Sequence, residues 1–194
     1  MIEIVIMLSI LTFISAILLT SIPGFNEDAA VVRAQQELAL NFRRIQNIAF
    51  AVAQITLSDG SQIAPSRIGL HFDIATPDSY FSFIDSDADG IYTEPPADQS
   101  KPDRKLDTFT FQRGIQFDPG GAFYNQSGGV ESIVNVVFAA PEAKASIFRQ
   151  DTLGGGPHDI GGSLCLDLKT PSLDLRKAIR AWTSGQIAVE DGCL

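Results

Sequence analysis

The sequence predicts an α+β fold in which one long N-terminal helix packs on a mostly antiparallel β domain. Three observations support this fold: the chain opens with a nearly continuous apolar run, the next segment carries one apolar stripe at helical spacing, and the remainder is a series of short strand patterns separated by turn residues. The predicted divisions are an apolar helix at 1–24, an amphipathic helix at 25–59 and a β-rich domain at 60–194, with an acidic loop at 85–104.

The opening run, MIEIVIMLSILTFISAILLTSIPG, has the length of a membrane-spanning helix, which needs roughly 20 apolar residues. A signal peptide would begin with basic residues and end in a small-residue cleavage site, but the first basic residue here is Arg33. A buried core helix would need protein on every side, which a chain of 194 residues rarely supplies. Glu3 is therefore unusual, because an acid deep in a membrane costs about 2.5–3.5 kcal/mol and needs a partner.

The segment 25–59 has the spacing of an amphipathic helix. Asn26 is a candidate N-cap, and Asp59-Gly60 is the candidate stop. With the opening run it forms one long helix that can bend or melt at Pro23-Gly24. The apolar stripe consists of Leu38, Phe42, Ile45, Ala49, Val52 and Ile55.

Strand patterns account for most of the chain after Gly60. They are short, often alternating and rich in Phe, Ile and Val, with a break expected near Gly114 and a tight hairpin turn at 183–186. The amphipathic helix covers one face of the resulting sheet. The segments are RIGLHFDI, SYFSFID, KLDTFTFQRGIQFD, ESIVNVVFAA, KASIFRQ, SLCLDL, KAIRAWT and QIAVED.

Composition argues against two classes of function. A net charge of −9 and a pI near 4.5 disfavour a nucleic-acid surface, which requires clustered Lys and Arg. The chain has only two histidines and no nucleophile motif, so it is not expected to be an enzyme and no catalytic residue is predicted. We expect His71 at the surface of a strand and His158 in a loop.

The two cysteines, Cys165 and Cys193, lie close together near the C-terminus. In an exported protein this pair predicts one disulfide that closes a C-terminal loop. In a reducing compartment the same residues would be two buried free thiols.

The stretch FIDSDADGIYTEPP places three carboxylates at alternate positions before a glycine, as an EF-type calcium loop begins. Such a loop ends in a bidentate Glu, and that place is held here by Pro96. The alternative is an acidic hairpin loop in which the Asp side chains bond their own backbone. The candidate ligands for Ca²⁺ are Asp85, Asp87, Asp89, the Ile91 carbonyl and Glu94.

A glutamate near the start of a long apolar helix, an amphipathic continuation and a β-rich domain with late cysteines together resemble type IV pilins and the pseudopilins of type II secretion. The resemblance is strongest over residues 1–24. It extends through QELALNFRRIQNIAFAVAQ, which is similar to the helix of GspH/FimT-like pseudopilins, to the ending WTSGQIAVEDGC. Met1-Ile2-Glu3 would match the third to fifth residues of a mature member, so by this resemblance the leader, its glycine and the first two mature residues, including the methylated first one, would precede Met1.

The resemblance implies a pilin-like fold and a structural role in a helical filament. Glu3 would neutralise the amino terminus of a neighbouring subunit during assembly, because a buried charge needs a partner. The implied partners are copies of the chain, other pilins and the inner-membrane assembly machinery. The chain would lie in the inner membrane before assembly and on the cell surface in a pilus afterwards.

Adhesion, motility and DNA uptake are the roles that the resemblance allows, without direct nucleic-acid binding by this acidic subunit. One alternative is a pseudopilin of a type II secretion system. The other is a membrane-anchored extracellular binding module that acts as a monomer.

Overall fold

The computed structural model describes the chain except residues 1, 58–59, 95–101, 122, 143, 151–156, 173–174 and 194, and it describes only the backbone of residues 18–25. Within these limits the protein consists of one long helix, two large antiparallel sheets and one small two-stranded sheet. The predicted α+β architecture, with a long N-terminal helix on antiparallel β-structure, is confirmed.

Helix α1 spans Ile2–Ala51 without interruption. Asn26 and Pro23-Gly24 lie inside it, so the predictions of a cap at Asn26 and of a melted segment at Pro23-Gly24 are wrong. The buried stripe packs on the β-structure and contains four of the six predicted positions. Its fully or nearly fully buried members are Val31, Ala34, Leu38, Phe42, Ile45 and Ala49.

The predicted stop at Asp59-Gly60 is wrong, because α1 ends at Ala51. The Val52 amide donates to the Ala49 carbonyl at 3.2 Å and the Ala53 amide donates to the Ile48 carbonyl at 3.1 Å. This pair of bonds is a Schellman motif, and it places Val52 at φ 48°, in the left-handed region that favours glycine. Ile55 then leaves the helix and enters a strand.

The first large sheet has the strand order β11-β10-β9-β3-β4-β5, and the small sheet pairs β1 with β2. The strands are β1 Ile55–Thr56, β2 Gln62–Ile63, β3 Arg67–Asp73, β4 Ser79–Ile84, β5 Arg104–Thr110, β9 Ile133–Ala139, β10 Ala145–Arg149 and β11 His158–Asp159.

The second large sheet has the order β14-β13-β12-β7-β8, with β6 also paired to β12. Its strands are β6 Gln116–Phe117, β7 Phe123–Asn125, β8 Val130–Glu131, β12 Ser163–Lys169, β13 Arg176–Trp182 and β14 Ile187–Glu190.

The hydrophobic core lies where α1 meets both sheets. Phe42 of the helix stacks on Phe72 of β3, with ring centroids 5.7 Å apart, and α1 also contacts β12, β13 and β14 of the second sheet. Gln35 is buried there, and its amide donates to the carbonyls of Ala178 and Glu190 at 2.7 and 2.8 Å. The second half of α1 is thus part of the core, and the Gln35 hydrogen bonds fix its position against β13 and β14.

The eight predicted strand segments all contain strands, and the predicted break falls at residues 111–115 with Gly114 at φ 71°. The hairpin turn at 183–186 is confirmed, since the Trp182 amide donates to the Gln186 carbonyl at 2.9 Å. His158 lies in the short strand β11, so its prediction as a loop residue is wrong. The strands β1 and β2 were not predicted, because two residues are too few to show an alternating pattern.

Candidate functional site

The first half of α1 exposes apolar side chains around its whole circumference. Glu3 lies in its first turn and is also exposed. The hydroxyls of Ser9 and Thr12 donate to helix carbonyls of Ile6 and Leu8 at 2.8 and 2.9 Å, so these polar groups are satisfied within the helix. The exposed apolar residues are Ile2, Ile4, Val5, Ile6, Met7, Leu8, Ile10, Leu11, Phe13, Ile14 and Ile17, each more than half exposed.

Soluble proteins normally leave only isolated apolar side chains in contact with water, whereas here the exposed apolar side chains form one continuous patch. A continuous exposed apolar patch of this kind marks an interaction surface. Nothing else in the described chain covers it, since residues 2–17 are all exposed. In the part of the chain that the structure describes, no helix holds a stretch long and apolar enough to cross a membrane. The predicted segment 1–24 includes residues 18–24, whose side chains lie outside the described residues.

The acidic loop follows β4 and begins at a buried carboxylate. Asp85 is 1% exposed, and its two oxygens accept the Ala88 amide at 2.7 Å and the Gly90 amide at 3.1 Å. Gly90 adopts φ 87°, in the left-handed region that favours glycine, so the loop turns at this residue. Asp85 therefore organises the loop backbone around its own side chain.

The two other predicted carboxylates face the same point. Asp87 accepts the Asp89 amide at 3.3 Å, and Asp89 accepts the Ile91 amide at 2.9 Å. These are the side-chain-to-backbone bonds of the acidic hairpin alternative. One oxygen from each of Asp85, Asp87 and Asp89 nevertheless lies within 4.8 Å of the others, so the cluster can hold a metal ion.

Glu94, one of the remaining predicted ligands, does not join this group. Glu94 is exposed and, among the described residues, the grouped carboxylates are Asp85, Asp87 and Asp89 alone. The Ile91 amide points at Asp89, and the position of Pro96 lies outside the described residues.

Asp103, which the sequence analysis did not select, closes the loop from the other side. It is 3% exposed, and its two oxygens accept the amides of Ser86 and Thr93, each at 2.9 Å. Its only sequence signal is its place at the end of the acidic stretch, directly before β5. A fourth carboxylate therefore borders the cluster, in a region that already concentrates negative charge.

Burial and like charge disfavour ionisation of these acids. Burial raises the pKa of Asp85 to about 6, and the charge of Asp103 adds to the rise, although hydrogen bonding by the Ala88 amide and the charge of Arg67 oppose it. Burial also raises the pKa of Asp89, with the charges of Asp87 and Asp103 acting in the same direction. Arg67 supplies a counter-charge 3.6 Å from Asp85, and it also donates to the Ala88 carbonyl at 2.8 Å.

The end of the loop folds back onto the outer face of the first sheet. The Tyr92 ring lies edge-on to the rings of Phe81 and His71, with centroids 4.8 and 5.6 Å away. His71 is 8% exposed and bonds Asn135 at 2.8 Å, so the prediction of a surface histidine is wrong. Burial lowers the pKa of His71. The reason for the error is long-range: β3 alone would expose this side chain, but Phe81 of β4 stacks on it with ring centroids 4.6 Å apart and Tyr92 covers it edge-on.

Cys165 and Cys193 form a disulfide, with Cα atoms 5.7 Å apart. The bond ties the chain end to β12, the central strand of the second sheet. Arg180 adds to this attachment, because its guanidinium pairs with Glu190 at 2.9 Å beside the chain end. The free-thiol alternative does not apply to this structure.

Comparisons with known proteins give one structural likeness. No protein-family model and no curated protein matches the chain. Among solved structures, the chain is similar to the minor pseudopilin EpsH from the type 2 secretion system of Vibrio cholerae, with 11% identity and a TM-score of 0.47 over 84% of this chain and 97% of that one.

Proposed function

We propose that this protein is a structural subunit of a type IV pilus-like filament. The observation that supports the proposal best is the contrast within α1: residues 31–49 bury one stripe in the domain core, whereas residues 2–17 expose apolar side chains on all sides. A helix apolar all round is suited to a membrane or to a bundle of like helices. The same segment carries the residues on which the resemblance to pilins depends.

In this proposal the chain waits in the inner membrane and then enters a helical assembly on the cell surface. The apolar halves of neighbouring helices form the filament core, and the β domains form its outside. Glu3 supplies the charge that pairs with the amino terminus of a neighbouring subunit, which compensates the cost of burying either charge alone. Ser9 and Thr12 favour close helix approach, because their hydroxyls are already bonded within the helix.

The test is assembly by a Glu3→Ala variant of the full chain in cells that also carry the assembly machinery. Wild-type cells should show filaments by electron microscopy, and the variant should lose them while keeping the folded domain, measured as an unchanged melting temperature and an intact disulfide. Glu37→Ala is the matched control, since Glu37 is an exposed acid on the same helix. Normal filaments without Glu3 would refute the proposal.

The two alternatives make different predictions in the same experiment. A monomeric binding module would form no wild-type filament and would behave as a monomer in detergent. A pseudopilin of type II secretion would form short assemblies and would be required for protein export, so loss of export by Glu3→Ala would favour it.

We also propose that the acidic loop binds Ca²⁺. This proposal is supported by the close grouping of carboxylate oxygens from Asp85, Asp87 and Asp89. Such oxygens are the hard ligands that Ca²⁺ prefers. A divalent cation would also offset the burial and the like charge that raise the pKa of Asp85 and Asp89. It would stabilise the loop and through Tyr92 its attachment to the sheet.

The calcium proposal is tested by thermal melting and titration calorimetry of the full chain in CaCl₂, MgCl₂ and EDTA. CaCl₂ should raise the melting temperature, because a ligand that binds only the folded state stabilises it. Asp87→Asn should abolish the shift, whereas Asp78→Asn, at an exposed acid outside the loop, should retain it. The absence of any calcium-dependent shift in the wild type would contradict the proposal.

A further inference from the structure

A cavity of about 590 Å³ opens between the end of α1, the small β1–β2 sheet and strand β5. Its apolar wall is formed by Ile45 and Ile48 of the helix, Ile55 of β1 and Leu106 of β5. Cavities of this size lie within the range that accommodates bound ligands. The space can therefore receive apolar side chains from outside the chain.

The strand that borders this cavity is an edge strand. In the described strand order β5 pairs with β4 and closes its sheet on that side. Along β5 the side chains of Lys105, Asp107 and Thr108 are exposed, while Leu106 and Phe109 are half-buried. An exposed edge offers a row of backbone donors and acceptors to an incoming extended chain.

The charge around the cavity is opposite to that of the protein. Arg44 and Arg104 line it, and Arg43 lines the adjoining recess on the helix, whereas the whole chain carries a net charge of −9. Among the described residues that line the cavity, Asp107 is the one carboxylate, and it lies 3.4 Å from the Arg44 guanidinium. Both side chains of that pair are more than half exposed, so an incoming carboxylate can compete for Arg44 at little cost.

We propose that β5 and this cavity form a docking site for an extended acidic segment of a partner protein. The segment pairs with β5 as an added strand, antiparallel or parallel to it. One of its apolar side chains enters the cavity against Ile48 and Leu106. Its flanking carboxylates pair with Arg44 and Arg104. The backbone edge selects an extended chain over a small molecule, because only a chain can use a row of donors and acceptors. The arginines select acidic over basic segments, because like charges across an interface are costly.

The site is tested with the full chain in detergent micelles and a labelled probe peptide, Thr-Asp-Thr-Leu-Thr-Asp-Thr, whose Asp-Leu-Asp side chains share one face of a strand. Binding is followed by fluorescence anisotropy. A peptide with Lys in place of Asp should bind at least about tenfold more weakly. The same loss is expected for the acidic peptide with the double variant Arg44→Ala/Arg104→Ala. Arg33→Ala, at an exposed arginine on the same helix, is the control and should bind as the wild type does.

Two further peptides test strand addition itself. One is N-methylated at the odd positions and the other at the even positions, so that only one of them blocks the amides that face β5. We expect one peptide to lose binding and the other to retain it. Equal binding by both methylated peptides, equal binding by the acidic and basic peptides, or no binding of the acidic peptide to the wild type would each overturn the proposal. These outcomes do not depend on filament formation, so the docking site can fail while the proposed filament role stands.

Discussion

The two halves of helix α1 are both rich in apolar residues, but they meet different surroundings. Phe42 in the second half is fully buried against Phe72, whereas Phe13 in the first half is 69% exposed. The second half places most of its apolar residues on one stripe, which the two sheets of the β domain cover, while the first half places them on every side. The comparison shows that hydrophobicity alone does not decide burial, because the arrangement of apolar residues around the helix determines how much of it one domain can cover.

The largest expected difference comes from the same substitution in the two halves. Phe42→Ala removes a fully buried ring and should lower the free energy of unfolding by about 3–5 kcal/mol. Phe13→Ala should change the unfolding of the β domain by less than about 0.5 kcal/mol, because its ring makes no contact with that domain. Chemical denaturation in detergent, followed by near-ultraviolet circular dichroism, measures both. Similar losses in the two variants would mean that the halves are energetically alike.

Two adjacent glutamines in the second half of α1, one buried and one exposed, test whether polar contacts stabilise its packing. Gln35→Ala should cost about 1–3 kcal/mol, because it leaves two carbonyls, of Ala178 and Glu190, without their donor. Gln36 is adjacent and exposed, so Gln36→Ala should be nearly neutral. Denaturation midpoints of the two variants distinguish these outcomes, and an equal effect would show that the Gln35 bonds do not stabilise the packed half.

The end of the packed half offers a stabilising change. Val52 occupies the left-handed position of the Schellman motif at φ 48°, where a β-branched residue is strained. Val52→Gly should raise the free energy of unfolding by about 1 kcal/mol, since glycine adopts this conformation without strain. Val52→Ala relieves only part of the strain and should lie between the two in melting temperature. A melting temperature for Val52→Gly below that of the wild type would contradict the expectation.

A change in the pH dependence of stability is expected at Asp85, an acid that the fold buries, unlike the exposed Glu3 of the first half. Burial raises the pKa of Asp85 to about 6 in the folded chain, whereas an Asp in the unfolded chain has a pKa of about 4. Between these two pH values the folded chain therefore keeps a proton that the unfolded chain has released. This contribution to stability is complete below about pH 4 and is lost as the pH rises through about 6. Asp85→Asn should therefore flatten the fall in melting temperature between these values, measured without calcium. An unchanged slope would show that Asp85 titrates normally in the folded state.

Local sequence was sufficient for most secondary structure, because helical and strand periods are set by neighbouring residues. The stripe of Leu38, Phe42, Ile45 and Ala49 predicted the packed face of α1, and the alternating segments predicted the long strands. The sequence predicted a helix end several residues beyond the observed one, because Ile55 fits the helical stripe. In the structure Ile55 pairs with Ile63 of β2 instead. The candidate calcium ligands were visible as a motif, but Asp103 was not, because it reaches the loop through the fold.

The sequence by itself determined that this protein has a helix with an apolar and an amphipathic half, a β-rich remainder, a cysteine pair and an acidic loop. Each of these follows from composition and from spacing over a few residues. Only the tertiary structure decided that Tyr92 buries His71, that Cys165 meets Cys193, and that β5 remains at a sheet edge beside a cavity lined by Arg44. These features depend on contacts between residues far apart in the chain, and such contacts are set by how the helix and the two sheets pack together rather than by any local pattern.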